Sequence, residues 1–64
     1  MKIAIEGMHS PGCLRRVRVA LQKVEGLRVG ELTLGSAVVN GDVKQQAAAI
    51  AAIEKAGYQP HILA

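Results

Sequence analysis

The chemistry this chain can do is concentrated in one segment, Gly7-Met8-His9-Ser10-Pro11-Gly12-Cys13, which holds the single cysteine and one of the two histidines. A thiolate sulfur and an imidazole nitrogen form a donor pair that suits Cu(I) or Zn(II). Ser10-Pro11 is a helix-start signal, since Ser is a favoured N-cap and Pro a favoured first helical residue. Cys13 then falls in the first helical turn, where free N–H groups and the macrodipole favour negative charge and lower a thiol pKa. Arg15 and Arg16 add positive potential. Cys13 is therefore expected to be a thiolate near neutral pH; the competing reading is a small buried hydrophobe. His9 lies in the loop before the helix, where its ring can turn toward the sulfur or simply face solvent. Met8 carries a thioether but is expected to plug the base of the loop as a core residue. The Ser10 hydroxyl is a hard, weakly acidic donor, better suited to capping the helix than to holding Cu(I).

The elements that position this turn can be read from periodicity. Lys2 to Glu6 alternates, with Ile3 and Ile5 on one face, and predicts a strand ended by Gly7. Leu14, Val17, Leu21 and Val24 recur at helical steps beside Ala20, while Arg15, Arg16, Arg18, Gln22 and Lys23 fill the other side. Glu25-Gly26 is expected to close that helix. Leu27 to Leu34 predicts a second strand, with Val29, Glu31 and Thr33 alternating against Gly30, Leu32 and Leu34. Gly35-Ser36 is the expected tight turn into a third strand at Ala37-Val38-Val39. Asp42 should cap a second, Ala-rich helix over 43–56, with Gln45 completing a capping box. Val43, Ala47, Ile50 and Ile53 are the expected core positions there, and Gly57 stops the helix. Gln59 to Leu63 is a last strand, which Pro60 places at an edge. The order predicts an α+β fold, one domain over residues 1–64: an open-faced sandwich of a four-stranded antiparallel sheet with two helices on one face.

The totals narrow the function classes. A chain of 64 residues with 50% hydrophobic content but one aromatic, Tyr58, builds a thin aliphatic core. Binding a metal or a second copy would add stability. One cysteine excludes an internal disulfide and suits a reducing compartment, so a cytoplasmic location is expected. Met1-Lys2 leads into a short run broken at Glu6, unlike a secretory leader, and the weakly polar stretch from Ala47 to Ile53 is too short for a bilayer. The formal charge of +3 permits an acidic partner. A nucleic-acid role is disfavoured, because RNA-binding sandwiches stack bases on sheet aromatics and this chain has neither Phe nor Trp. An enzyme is not expected: His9 has no evident carboxylate to orient it, and Cys13 has no second cysteine to resolve a redox intermediate.

These residues resemble a heavy-metal-associated domain, the module of small copper chaperones and of the amino-terminal extensions of copper-transporting P-type ATPases. That family carries Gly-Met-x-Cys-x-x-Cys between its first strand and first helix. Gly7 and Met8 match, Cys13 matches the second cysteine, and Ser10 stands where the first belongs. Val24-Glu25-Gly26-Leu27, the Val38-Val39 strand and Ile53-Glu54-Lys55-Ala56-Gly57-Tyr58 are also similar to the family, so the resemblance covers nearly the whole chain. It implies a ferredoxin-like β-α-β-β-α-β fold and a cytosolic Cu(I) metallochaperone or buffer. It also implies partners among copper-transporting P-type ATPases or other copper proteins, met through the basic first helix. With one thiolate missing, three arrangements stand: Cys13 and His9 within one chain, two Cys13 thiolates bridged in a homodimer with His9 completing the shell, or a metal-free interaction module. Retained binding through Cys13 and His9, with metal-linked dimerisation, is the expectation. Tyr58 is implied beside the metal turn, as a shield or a tuner of release, or else as plain core. His61 is expected to be a solvated strand residue.

Overall fold

The computed structural model describes residues 1–63. The chain runs β1 (Lys2–Glu6), α1 (Pro11–Gln22), β2 (Arg28–Thr33), β3 (Ser36–Asn40), α2 (Val43–Lys55) and β4 (Gln59–Leu63). The strands form one antiparallel sheet in the order β2-β3-β1-β4. This is the ferredoxin-like sandwich that the periodicity predicts.

Alternation on β1 and β3 sends Ile3, Ile5, Ala37 and Val39 to the covered face, where they meet Val17 and Leu21 of α1 and Ala49 and Ile53 of α2. Met8 and Tyr58 belong to this core, at the end that carries the turn between β1 and α1. No polar or charged side chain is buried among the described residues, so aliphatic packing carries the stability. Lys2 to Glu6 pairs with Leu63 to Gln59 along its full length, and β4 is an edge strand, as Pro60 requires.

Four local expectations are corrected. α1 ends at Gln22 rather than at Glu25-Gly26, because Lys23 and Val24 donate to Ala20 and Leu21 in tighter turns that unwind the helix early. Val24 thereby leaves the helical stripe. The hairpin turn is Leu34-Gly35, not Gly35-Ser36: Thr33 pairs with Ser36, and Gly35 takes φ +94. Between Val29 and Leu32 the β2–β3 register shifts, so the predicted alternation of β2 fails. Val29 and Leu32 are both half-buried, while Gly30 and Glu31 between them face solvent.

The fourth correction concerns α2. Its capping box forms as predicted, with Gln45 N–H donating to Asp42 Oδ1 and Asp42 N–H to Gln45 Oε1, each at 2.8 Å. Its buried stripe is different. Ala49 and Ile53 are fully buried and Ile50 and Ala56 pack beside them, whereas Ala47 is exposed and Val43 is 81% exposed. A helix made largely of alanine has a weak apolar phase, and its contact with the sheet decides which small residues turn inward.

Candidate metal turn

The turn is built by residues from three elements. Gly7 ends β1 with φ +100, a backbone value that L side chains rarely adopt. A Cβ there would stand 3.3 Å from Tyr58 Cδ1, so the glycine also lets the tyrosine ring close over the turn. Met8, 8% exposed, is wedged into the core, as its apolar side chain predicts. His9 and Ser10 are exposed, and Cys13 is half-buried in the first turn of α1.

Ser10 occupies the N-cap position with extended backbone, φ −150 and ψ 164, but its hydroxyl makes no cap hydrogen bond. The backbone carbonyl of Ser10 accepts from Cys13 and Leu14 N–H, while the hydroxyl turns to Cys13 Sγ at 3.6 Å. The side-chain cap expected from sequence is thus replaced by a contact with the thiol.

The thiol of Cys13 is lowered from 9.0 to about 6. The largest cause is the Tyr58 hydroxyl, followed by the backbone N–H of His9 and the hydroxyl of Ser10, all of which favour the charged sulfur, while partial burial opposes them; Ser10 Oγ, at 3.6 Å, makes the one side-chain hydrogen bond to Sγ. These donors, and not Arg15 or Arg16, stabilise the thiolate. Tyr58 itself is raised, first by its interaction with the Cys13 sulfur and then by burial and by the thiolate charge. Arg16 counters in part, both through its charge and by hydrogen bonding to the phenol.

Cys13 and the His9 backbone are therefore brought together, and the His9 side chain lies exposed beside them. Among the described residues no group of three or more His, Cys, Asp and Glu side chains could hold a metal ion, so one chain offers few protein donors at this turn. His61 is elsewhere: its Nε2 lies 2.8 Å from Glu6 Oε2 across the β1–β4 pair. With side chains 57% and 66% exposed, that pair contributes little stability. Sequence periodicity missed the Ser10 hydroxyl and the His9 N–H as thiolate donors. No residue-type signal marks a backbone N–H, but the spacing of Ser10 and Cys13, one helical turn, could have suggested the hydroxyl.

A ferredoxin-like fold with a lone depressed thiol at the first strand-to-helix turn defines the class: a small α+β sandwich module. The chain matches the heavy-metal-associated domain family over residues 2–59, and it belongs to that family. A copper binding domain from HMA7, a P-type ATPase, superposes with a TM-score of 0.87 at 28% identity, covering 100% of this chain and 92% of that one. The N-terminal domain of PacS from Synechocystis PCC6803 superposes with a TM-score of 0.81 at 29% identity, covering 98% of this chain and 94% of that one.

Proposed function

We propose that this domain binds Cu(I) as cargo through Cys13 and His9 and passes it on by ligand exchange, as a carrier or a buffer. The observation that carries this reading is the Cys13 thiol, held at about 6 by Tyr58, His9 and Ser10 in an accessible turn. A thiolate already free of its proton at neutral pH accepts a soft cation without first losing one. Sulfur and imidazole nitrogen form a low-coordinate set that an incoming thiolate can join before an old ligand leaves. Cargo transfer of this kind needs no turnover of a substrate, and the domain works as a non-enzymatic module. The likeness to a copper binding domain of a P-type ATPase supports copper over other soft metals.

The partner under this reading is a copper-transporting P-type ATPase domain or another copper protein with an acidic surface, in the cytoplasm. Arg15, Arg16 and Arg18 are exposed on α1 and Lys23 just past its end, and together they would steer such an encounter while keeping it transient. No helix among the described residues is long and apolar enough to cross a membrane.

A second reading is a metal-free interaction module, favoured by Ser10 standing where the family's first cysteine belongs. An oxygen-free competitive Cu(I) titration under reducing conditions, with molecular mass followed in the same samples, separates the two. One Cu(I) per chain at constant mass supports the Cys13/His9 site. One per two chains at doubled mass supports a Cys13-bridged dimer. Cys13→Ala is expected to abolish binding in either case, whereas His9→Ala weakens the single-chain site far more than a bridge of thiolates. Affinity no better than a weak chelator, or unaltered in Cys13→Ala, overturns the copper reading.

A further inference from the structure

Away from the thiol turn, α1 and α2 leave a cleft of about 650 Å³ lined by Arg16, Val19, Ala20 and Lys23 on one side and by Ala52, Lys55 and Ala56 on the other. The cleft exists because its floor is alanine: Ala20, Ala52 and Ala56 carry too little side chain to fill the space between the helices. Its rim is cationic, and no carboxylate lines it. Among the described residues the single ion pair is His61–Glu6, so Lys23 and Lys55 pair with no carboxylate, and neither does Arg16, which also acts on Tyr58 at the thiol turn. An apolar floor under three unneutralised cations is complementary to a molecule with an apolar body and an anionic head.

We propose that the α1–α2 cleft is a binding site for a small amphiphilic carboxylate, its alkyl body on Ala20, Ala52 and Ala56 and its carboxylate among Arg16, Lys23 and Lys55. The depression is open to solvent, so it would cover one side of an alkyl chain and leave the other exposed. A second copy fits worse, because a two-fold pairing of this face would set one cationic rim against another on a chain of net charge +3. A free inorganic anion would leave the apolar floor uncovered. Arg16 also acts on Tyr58 at the thiol turn, so the test varies only Lys23, Lys55 and Ala52, which lie outside that turn.

The metal-free protein is titrated with decanoate below its micelle concentration while backbone amide shifts are followed by NMR, with decanol as the uncharged control. The expected result is saturable binding of one decanoate per chain, with shifts centred on Val19, Ala20, Ala52 and Ala56. Decanol should bind about tenfold more weakly. The double variant Lys23→Gln/Lys55→Gln should weaken decanoate roughly three- to tenfold while leaving the fold intact, since both residues are exposed. Ala52→Leu should fill the cleft and abolish binding. The proposal is overturned by shifts that do not saturate or lie elsewhere, by equal binding of decanol, or by full affinity in the double variant. It is equally overturned if an acidic amphipathic peptide, and not decanoate, moves these amides, or if they move only when the chain dimerises. Copper affinity plays no part in any of these readouts, so failure here leaves the copper reading standing.

Discussion

Tyr58→Phe isolates the group that does most to activate Cys13. A thiol at about 6 is about nine-tenths thiolate at pH 7, against about one part in a hundred for an unperturbed thiol at 9.0. The Tyr58 hydroxyl is the largest single cause of that difference. Phe keeps the ring that fills the core beside Met8 and removes only the donor. A hydrogen bond to a charged acceptor lost in this way should make Cys13 roughly a tenfold weaker acid, which leaves about half the thiol ionised at pH 7. His9 N–H and the Ser10 hydroxyl still hold the remainder. The assay is the pH dependence of thiolate ultraviolet absorbance in the reduced, metal-free protein, checked by the rate of alkylation with iodoacetamide at mildly acid pH. The alkylation rate should fall severalfold, less than the thiolate fraction alone implies, because the more basic thiolate is intrinsically the better nucleophile. A titration midpoint in Tyr58→Phe equal to that of the parent refutes the assignment of Tyr58 as the principal donor. A parent midpoint near 9 would refute the hydrogen-bonded thiolate altogether.

Three further outcomes are expected. Gly7→Ala forces a Cβ to 3.3 Å from the Tyr58 ring at a backbone φ of +100, so it should lower stability in urea denaturation and raise the thiol midpoint as Tyr58→Phe does; a stable protein with an unmoved midpoint would contradict the closure of the ring over the turn. Ile53→Ala empties a fully buried position of a thin core and should cost about 2–5 kcal/mol in chemical denaturation, a large share of the stability of so small a domain. The thiol of Cys13 is depressed in the folded chain, so the unfolded chain binds more protons between about 6 and 9.0. The associated stabilisation is complete above the unfolded value and is lost as pH falls through about 6, so the metal-free protein should weaken over that interval relative to Cys13→Ser; no difference in pH slope between the two would count against the depressed thiol.

The fold was legible because strong local signals agree with the tertiary packing. Ile3 and Ile5, the Leu14–Val17–Leu21 stripe and the Asp42–Gln45 box each point to one element, and each is found. Legibility failed where local preference is weak. Alanine-rich α2 carries no phase of its own, so Val43 and Ala47 were indistinguishable from Ala49 and Ile53 until the sheet was in place. The bulge after Val29 breaks a two-residue period that composition does not mark. At the turn between β1 and α1, the Ser10-Pro11 start placed the thiol in the first helical turn, and the Gly7-Met8 frame was legible only through the family resemblance. The orientation of the Ser10 hydroxyl and of the His9 N–H is set by φ and ψ at Ser10 and its neighbours, which residue type leaves open.

The serine at position 10 changes the character of the turn more than a missing ligand suggests. In the two-cysteine frame that the family resemblance implies, this position would supply a second thiolate, and two adjacent negative sulfurs would each discourage the other's ionisation without a metal between them. With serine the same position supplies a donor: Ser10 Oγ lies 3.6 Å from Cys13 Sγ and joins Tyr58 and the His9 N–H in stabilising one thiolate. Hydrogen bonds to a thiolate lower its basicity, and a less basic sulfur binds a cation less strongly. Under the proposed function the turn therefore exchanges affinity for readiness: the sulfur is ionised before the metal arrives and holds it through few bonds. That combination suits a carrier or a buffer that must release its cargo. It also makes Ser10→Cys the informative gain-of-function variant, expected to bind Cu(I) more tightly and to lose the dependence on His9. If Ser10→Cys binds no more tightly than the parent, the position does not face the metal and the single-thiolate account of this turn is wrong.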